Sequence, residues 1–122
     1  MSHALIIEYN MLISRAVEDR LLPLGFASFD HAWTEPQAAE AARMRTPDLV
    51  VMGEIGPGDA RDRLVREIVD EHAAPVVVIA EAHCTLYRNG PQGVAVSGRF
   101  PLSDIDAAVE LSGRGNPLGL AA

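Results

Sequence analysis

The chain contains no lysine: its ten basic residues are all arginine. It has a single cysteine, Cys84, so no disulfide can close within it, and a reducing compartment, the cytoplasm, is the expected setting. Aromatic residues make up only 5% of the sequence, and 17 acidic residues outnumber the basic ones. The formal charge of -7 and pI near 4.9 give no reason to expect a nucleic-acid or anionic-membrane surface. Long apolar runs are also missing. None approaches the roughly 18 residues that a membrane-spanning helix needs. Residues 1–4 lack the charged start and long apolar stretch of a secretion signal.

What is present fits one domain. The 122 residues are 48% apolar and 22% charged, which suits a single globular core. Three short runs, Ala4-Leu-Ile-Ile7, Leu49-Val-Val-Met52 and Pro75-Val-Val-Val-Ile-Ala80, are continuously apolar, as strands covered on both faces are. Two weaker strands are expected around Ala27-Ser-Phe29 and Val94-Ala-Val96. Helical spacing fills the gaps. Ile13, Ala16, Val17, Leu21 and Leu24 recur at 3/4 intervals before Pro23 ends or kinks the helix. Thr34-Glu-Pro-Gln37 reads as a capping box for an alanine-rich helix over 38–45. Asp59 is expected to cap a third helix with Leu64, Val65, Ile68 and Val69 inward. Ser103-Asp-Ile-Asp106 is expected to cap a last helix with Ile105, Ala108 and Val109 inward. A short helix without clean period is expected between Glu81 and Gly90, and residues 113–122 read as a loose tail.

Strands alternating with helices argue a parallel sheet wound on both faces. Strong first, third and fourth runs with weak second and fifth ones give a five-stranded parallel sheet in order 2-1-3-4-5. Any ligand site then belongs at the carboxyl ends of strands 1 and 3, the switch point. The residues there are Glu8, Tyr9 and Asn10, then Gly53 and Glu54, then Ala80 and Glu81.

These strand ends resemble the receiver domain of bacterial two-component response regulators. The resemblance spans about residues 4–112 and implies a CheY-like, flavodoxin-like doubly wound domain over 1–112. Pro47-Asp-Leu-Val-Val-Met-Gly53-Glu-Ile-Gly-Pro57-Gly58 is similar to the family's third strand and following loop. Pro75-Val-Val-Val-Ile-Ala80 is similar to its fourth strand, and Phe100-Pro101-Leu102 stands where the family has Lys-Pro-Phe. The resemblance also assigns positions. The acidic pair that holds Mg²⁺ becomes Glu8 and Tyr9, the phosphoryl-accepting aspartate becomes Gly53, the hydroxyl becomes Ala80, and the lysine becomes Phe100. Only Glu8 keeps its charge type. Gly53 offers no nucleophilic oxygen. Glu8 beside Tyr9 is a poor start for octahedral oxygen ligation, and no lysine exists to meet developing phosphoryl charge. Arg99 is adjacent, but its guanidinium is not an interchangeable ammonium. The resemblance is therefore to a degenerate, or pseudo-, receiver.

Other candidates are weighed alongside. Glu54 is either an exposed loop carboxylate or a permanent charge imitating the phosphorylated state. Glu81, His83 and Cys84, with His72 nearby in sequence, lack the spacing of a zinc site, so no metal is expected. The segment from Gly53 to Gly58 lacks the Gly-Lys-Ser/Thr end of a P-loop. Trp33 and Tyr87 are expected to pack at the core or its rim. The expectation is thus no enzyme and no cofactor, but a phosphorylation-independent protein-interaction module in bacterial signalling. Its implied partner is a histidine kinase, a phosphotransferase or an output protein. The implied surface is residues 83–111, which also offer a route to a homodimer. The alternative is a small-molecule or nucleotide sensor at the switch point between strands 1 and 3.

Overall fold

The computed structural model of the chain describes residues 2–53, 55 and 58–113. The three continuous apolar runs become β1 (Ser2–Ile7), β3 (Leu49–Met52) and β4 (Val76–Ala80), adjacent or nearly so in the sheet centre. Their continuity reflects burial on both sides. Leu5 and Ile7 enter one apolar layer with Ala38, Ala42, Leu64 and Ile68, whereas Ala4 and Ile6 enter the other with Val17, Leu21, Ile105 and Val109. The helices α2 (Glu35–Met44) and α3 (Gly58–His72) therefore cover one face. The other carries α1 (Met11–Leu21) and α4 (Ile105–Leu111).

Local chemistry sets several boundaries. Asn10 caps α1, its Oδ1 accepting from Leu12 N at 3.0 Å and Ile13 N at 3.4 Å. A single 3-10 turn at Leu22–Leu24 and Gly25, at φ 100°, end that helix and turn the chain into β2 (Phe26–Ala32). Thr34 Oγ1 accepts from Gln37 N at 3.3 Å, and Gln37 Oε1 accepts from Trp33 N at 2.8 Å, close to the expected capping box. Buried His3 ties three segments together. Its Nε2 hydrogen-bonds to Asp30 at 2.9 Å, its Nδ1 to the Ser28 hydroxyl at 2.8 Å, and its backbone N–H donates to Asp48 at 2.8 Å.

The sheet has six described strands in order β2-β1-β3-β4-β5-β6, not the five parallel strands in order 2-1-3-4-5 that the sequence pattern suggests. The order 2-1-3-4 holds, and those pairings are parallel. After β4 the architecture departs. The stretch expected as a short helix is β5 (His83–Gly90), running back antiparallel beside β4, and β6 (Gly93–Pro101) pairs antiparallel outside it. Period-two burial drives this: Cys84 and Leu86 are buried on the α4 side, while Tyr87 packs from the opposite face. The reversal before β5 uses Glu81 at φ 56°, and the one after it uses Gly93 at φ 107°.

Three expected caps or faces also change. Asp59 lies inside α3 rather than before it, and α4 has Asp104 at its N-cap without a side-chain hydrogen bond. Ile13 is 42% exposed, because Ser14, Val17 and Leu21 form the inner face of α1. The inner residues expected of α3 and α4 are buried as their spacing implies. Residues 114–122 of the expected tail lie outside the described residues.

Candidate functional site

The carboxyl ends of β1 and β3 meet side by side. Gly53 N donates to Ile7 O at 2.8 Å, extending the β1–β3 pairing, and Glu8 N donates to Ala32 O at 3.0 Å. These bonds bring Glu8 directly over Gly53. A Cβ on residue 53 would fall 1.7 Å from Glu8 Oε1 and 2.9 Å from its Cδ, so the carboxylate occupies the place where a side chain on residue 53 would begin. Glu8 is only 5% exposed, and its other oxygen accepts from Asn10 N at 2.9 Å. The pocket is filled from within, by an acid.

Glu8, Tyr9 and Gly53 are thus brought together, whereas Ala80 and Phe100 are not. Ala80 is exposed at the end of β4, and Phe100 lies on β6, two strands beyond it, where it packs against the α1/α4 core. For Phe100 the antiparallel hairpin explains this, because β5 takes the place beside β4 that the parallel fifth strand was expected to fill. Ala80 is on β4 as expected but faces the α3 side with Val78 and Tyr87. Tyr9 is 63% exposed and stands at the rim, so neither it nor Phe100 plugs the site. Glu54 lies outside the described residues.

Beside Glu8 opens a cleft of about 680 Å³ between α1 and α4. Leu12, Ile13, Ala16, Ile79, Leu102 and Ile105 make its walls mainly apolar. Arg20 fastens one part of it, donating to Asp106 Oδ1 at 2.6 Å and to Ser103 O at 3.1 Å. The volume is in the range of small-molecule pockets. Sequence reasoning missed Arg20, because its partners Ser103 and Asp106 lie 83 and 86 residues away and leave no local spacing signal.

No family model matches the chain, and no curated protein matches it. Among solved structures it is similar to the anti-anti-sigma factor PhyR, in its co-crystal structure with the anti-sigma factor NepR from Bartonella quintana. The TM-score is 0.58 at 17% identity, over 89% of this chain and 45% of that one. The fold is receiver-like. At that identity the likeness concerns architecture alone, and this chain spans less than half the length of that protein.

The remaining candidates separate. His83 and Glu81 are exposed, while Cys84 points into the core on the other side of β5, its Sγ 3.8 Å from Pro101 O. Burial raises the Cys84 thiol pKa, and the nearby Asp104 charge adds to the rise. Cys84 should therefore stay unmodified by neutral-pH thiol reagents in the native state and react only on unfolding. Fast stoichiometric labelling of the folded protein would contradict this. One further chain of polar groups has the order of a nucleophilic triad: His31 Nε2 hydrogen-bonds to Glu18 and its Nδ1 to the Ser14 hydroxyl at 2.8 Å. Ser14 is fully buried, so the chain holds α1 on β2 and presents no nucleophile to a substrate. Among the described residues no helix is long and apolar enough to cross a membrane.

Proposed function

We propose that the chain is a protein-binding module that works without phosphoryl transfer and without catalysis, in bacterial signal transduction in the cytoplasm. The observation that carries this reading is the Glu8 carboxylate seated over Gly53. A receiver controlled by phosphorylation needs that space for the acceptor, and here an acid of the chain itself holds it permanently. The geometry also leaves apolar side chains unspent. Leu12 is 83% exposed beside Tyr9 and Ile13 at the cleft rim, a grouping that suits a partner surface more than solvent. PhyR is described in complex with a protein, the anti-sigma factor NepR, which supports a protein partner in general. A kinase, phosphotransferase or output protein is the partner class that the receiver-like architecture favours.

The α1 side of the cleft becomes the first surface to test, ahead of residues 83–111. Leu12→Arg changes an exposed residue and should leave stability within about 0.5 kcal/mol. If Leu12 anchors the partner, affinity should fall about tenfold or more. The measurement is capture from source-cell lysate by wild type and variant, with and without an acyl phosphate, followed by titration of the captured protein. Capture that needs the phosphoryl donor would overturn the reading. A second reading, a sensor for a small apolar ligand, is favoured by the volume and walls of the same cleft. Native mass spectrometry of protein purified from its source separates the two, since a resident ligand adds a defined mass.

A further inference from the structure

The hairpin that replaces the expected helix leaves β6 as an outer edge of the sheet. Among the described residues β6 pairs only with β5, so its far side presents unpaired N–H and C=O groups. Sheet edges are ordinarily blunted by charge, by proline within the strand or by a covering element. The run Gly93-Val-Ala-Val96 contains no charge and no proline. Val96 is 60% exposed. The other edge, β2, differs, because it carries Asp30 and His31 within the strand.

We propose that β6 pairs antiparallel with β6 of a second copy of this chain, about a two-fold axis at Ala95. The occupant follows from the sequence of the edge itself. With Ala95 on the axis, Val94 of one copy faces Val96 of the other, and the reverse. Val94 and Val96 lie on the α3 side of the sheet, where Tyr87 is cross-strand from Val96. Four valines then form one apolar strip across the axis, flanked by two Tyr87 rings, and Val96 loses its exposure. Ala95 lies on the opposite face, cross-strand from Arg88, and is small enough for its copy to stand directly opposite. The paired stretch Gly93-Val-Ala-Val96 carries no charge, so no like charges face each other across the axis.

Charge selects the same end of the molecule. The chain carries a formal charge of -7, which opposes self-association, yet residues 82–102 contain no Asp or Glu and two arginines, Arg88 and Arg99. Two copies meeting through their hairpins keep their acidic parts apart. The pairing is also short. Ser97 is an extra residue on β6 at the register shift beside Leu86 and Tyr87, and the stronger twist of such a bulge confines regular pairing to the stretch before it. Assembly is therefore reversible and concentration-dependent. It leaves the α1/α4 cleft open and stands whether or not that cleft binds a partner.

The test is sedimentation velocity of the full chain over a concentration series, with Ala95→Lys, Ala95→Glu and their equimolar mixture. Wild type should move from one chain mass toward two as concentration rises. Each single variant places like charges across the axis and should remain at one chain mass, with its melting temperature near that of wild type. The mixture should regain the dimer, and native mass spectrometry should find it to be the heterodimer. Should Ala95→Lys fold poorly beside Arg88, Ala95→Glu alone still supplies the like-charge arm. Wild type that stays at one chain mass throughout overturns the proposal. So does a single-charge variant that dimerises as wild type does, or a mixture that stays monomeric.

Discussion

Gly53→Ala is expected to lower the unfolding free energy by about 1–3 kcal/mol, an unusual cost for adding one methyl to a strand end. The new Cβ would fall 1.7 Å from Glu8 Oε1, so the carboxylate must leave its seat. On leaving it loses the hydrogen bond from Asn10 N and the room that keeps it buried. In a Glu8→Ala background the collision partner is gone. Gly53 is not among the described glycines with positive φ, so alanine carries no backbone strain there. Restricting the unfolded chain then favours alanine by about 0.4–1 kcal/mol, and the sign of the substitution should reverse. Urea unfolding of the four proteins in this cycle gives the coupling, expected at about 1 kcal/mol or more. Additive costs would mean that the methyl and the carboxylate do not compete for one space.

That coupling is also where sequence reasoning reached its limit. The vacancy at Gly53 was legible, because a glycine standing in an Asp position after Leu49-Val-Val-Met52 is a local fact. Its occupant was not. The apolar runs place Glu8 and Gly53 at neighbouring strand ends, but that the Glu8 carboxylate turns into the space of a residue-53 side chain depends on side-chain packing that no spacing along the chain announces. The central order β2-β1-β3-β4 was legible for a physical reason: strands buried on both faces must be apolar without alternation, and three such runs are plain in the sequence. The antiparallel reversal from β4 into β5 was hidden by its turn. A two-residue reversal ordinarily advertises itself with Asn-Gly or Asp-Gly, whereas this one uses Glu81-Ala82, with Glu81 at φ 56°. The residues after it, His83-Cys-Thr-Leu-Tyr87, do alternate between core layers, but over too few positions to outweigh the expectation of a helix there. Phe100 stands at the carboxyl end of β6, which runs parallel to β4, but with β5 inserted between them the position counted for a fifth strand lies one strand farther from β3.

Incubation with an acyl phosphate and Mg²⁺ is expected to leave the intact mass of the protein unchanged. Phosphoryl transfer would require a carboxylate oxygen to attack phosphorus while the donor departs as its free carboxylate. Gly53 has no such oxygen. Glu8 has two, but one faces Gly53 in a buried seat and the other is held by Asn10 N. Nor does the site supply the usual charge stabilisation, because the chain has no lysine and Phe100 lies on β6, three strands across the sheet from β3. Gly53→Asp should not restore the reaction, because its Cβ meets the same Glu8 carboxylate. Mg²⁺ at low millimolar concentration should leave the melting temperature of wild type and Glu8→Gln alike. A bound cation at a hundred times its Kd would add about 2.7 kcal/mol to the native state, which is several degrees and readily measured. A stable gain of one phosphoryl group would refute the assignment, and mapping it would say how: on Glu8, the seated acid is itself an acceptor; on Asp59 or Glu54, the acceptor has moved along the chain. A Mg²⁺-dependent rise in melting temperature abolished by Glu8→Gln would instead make Glu8 a cation ligand and put the sensor reading first.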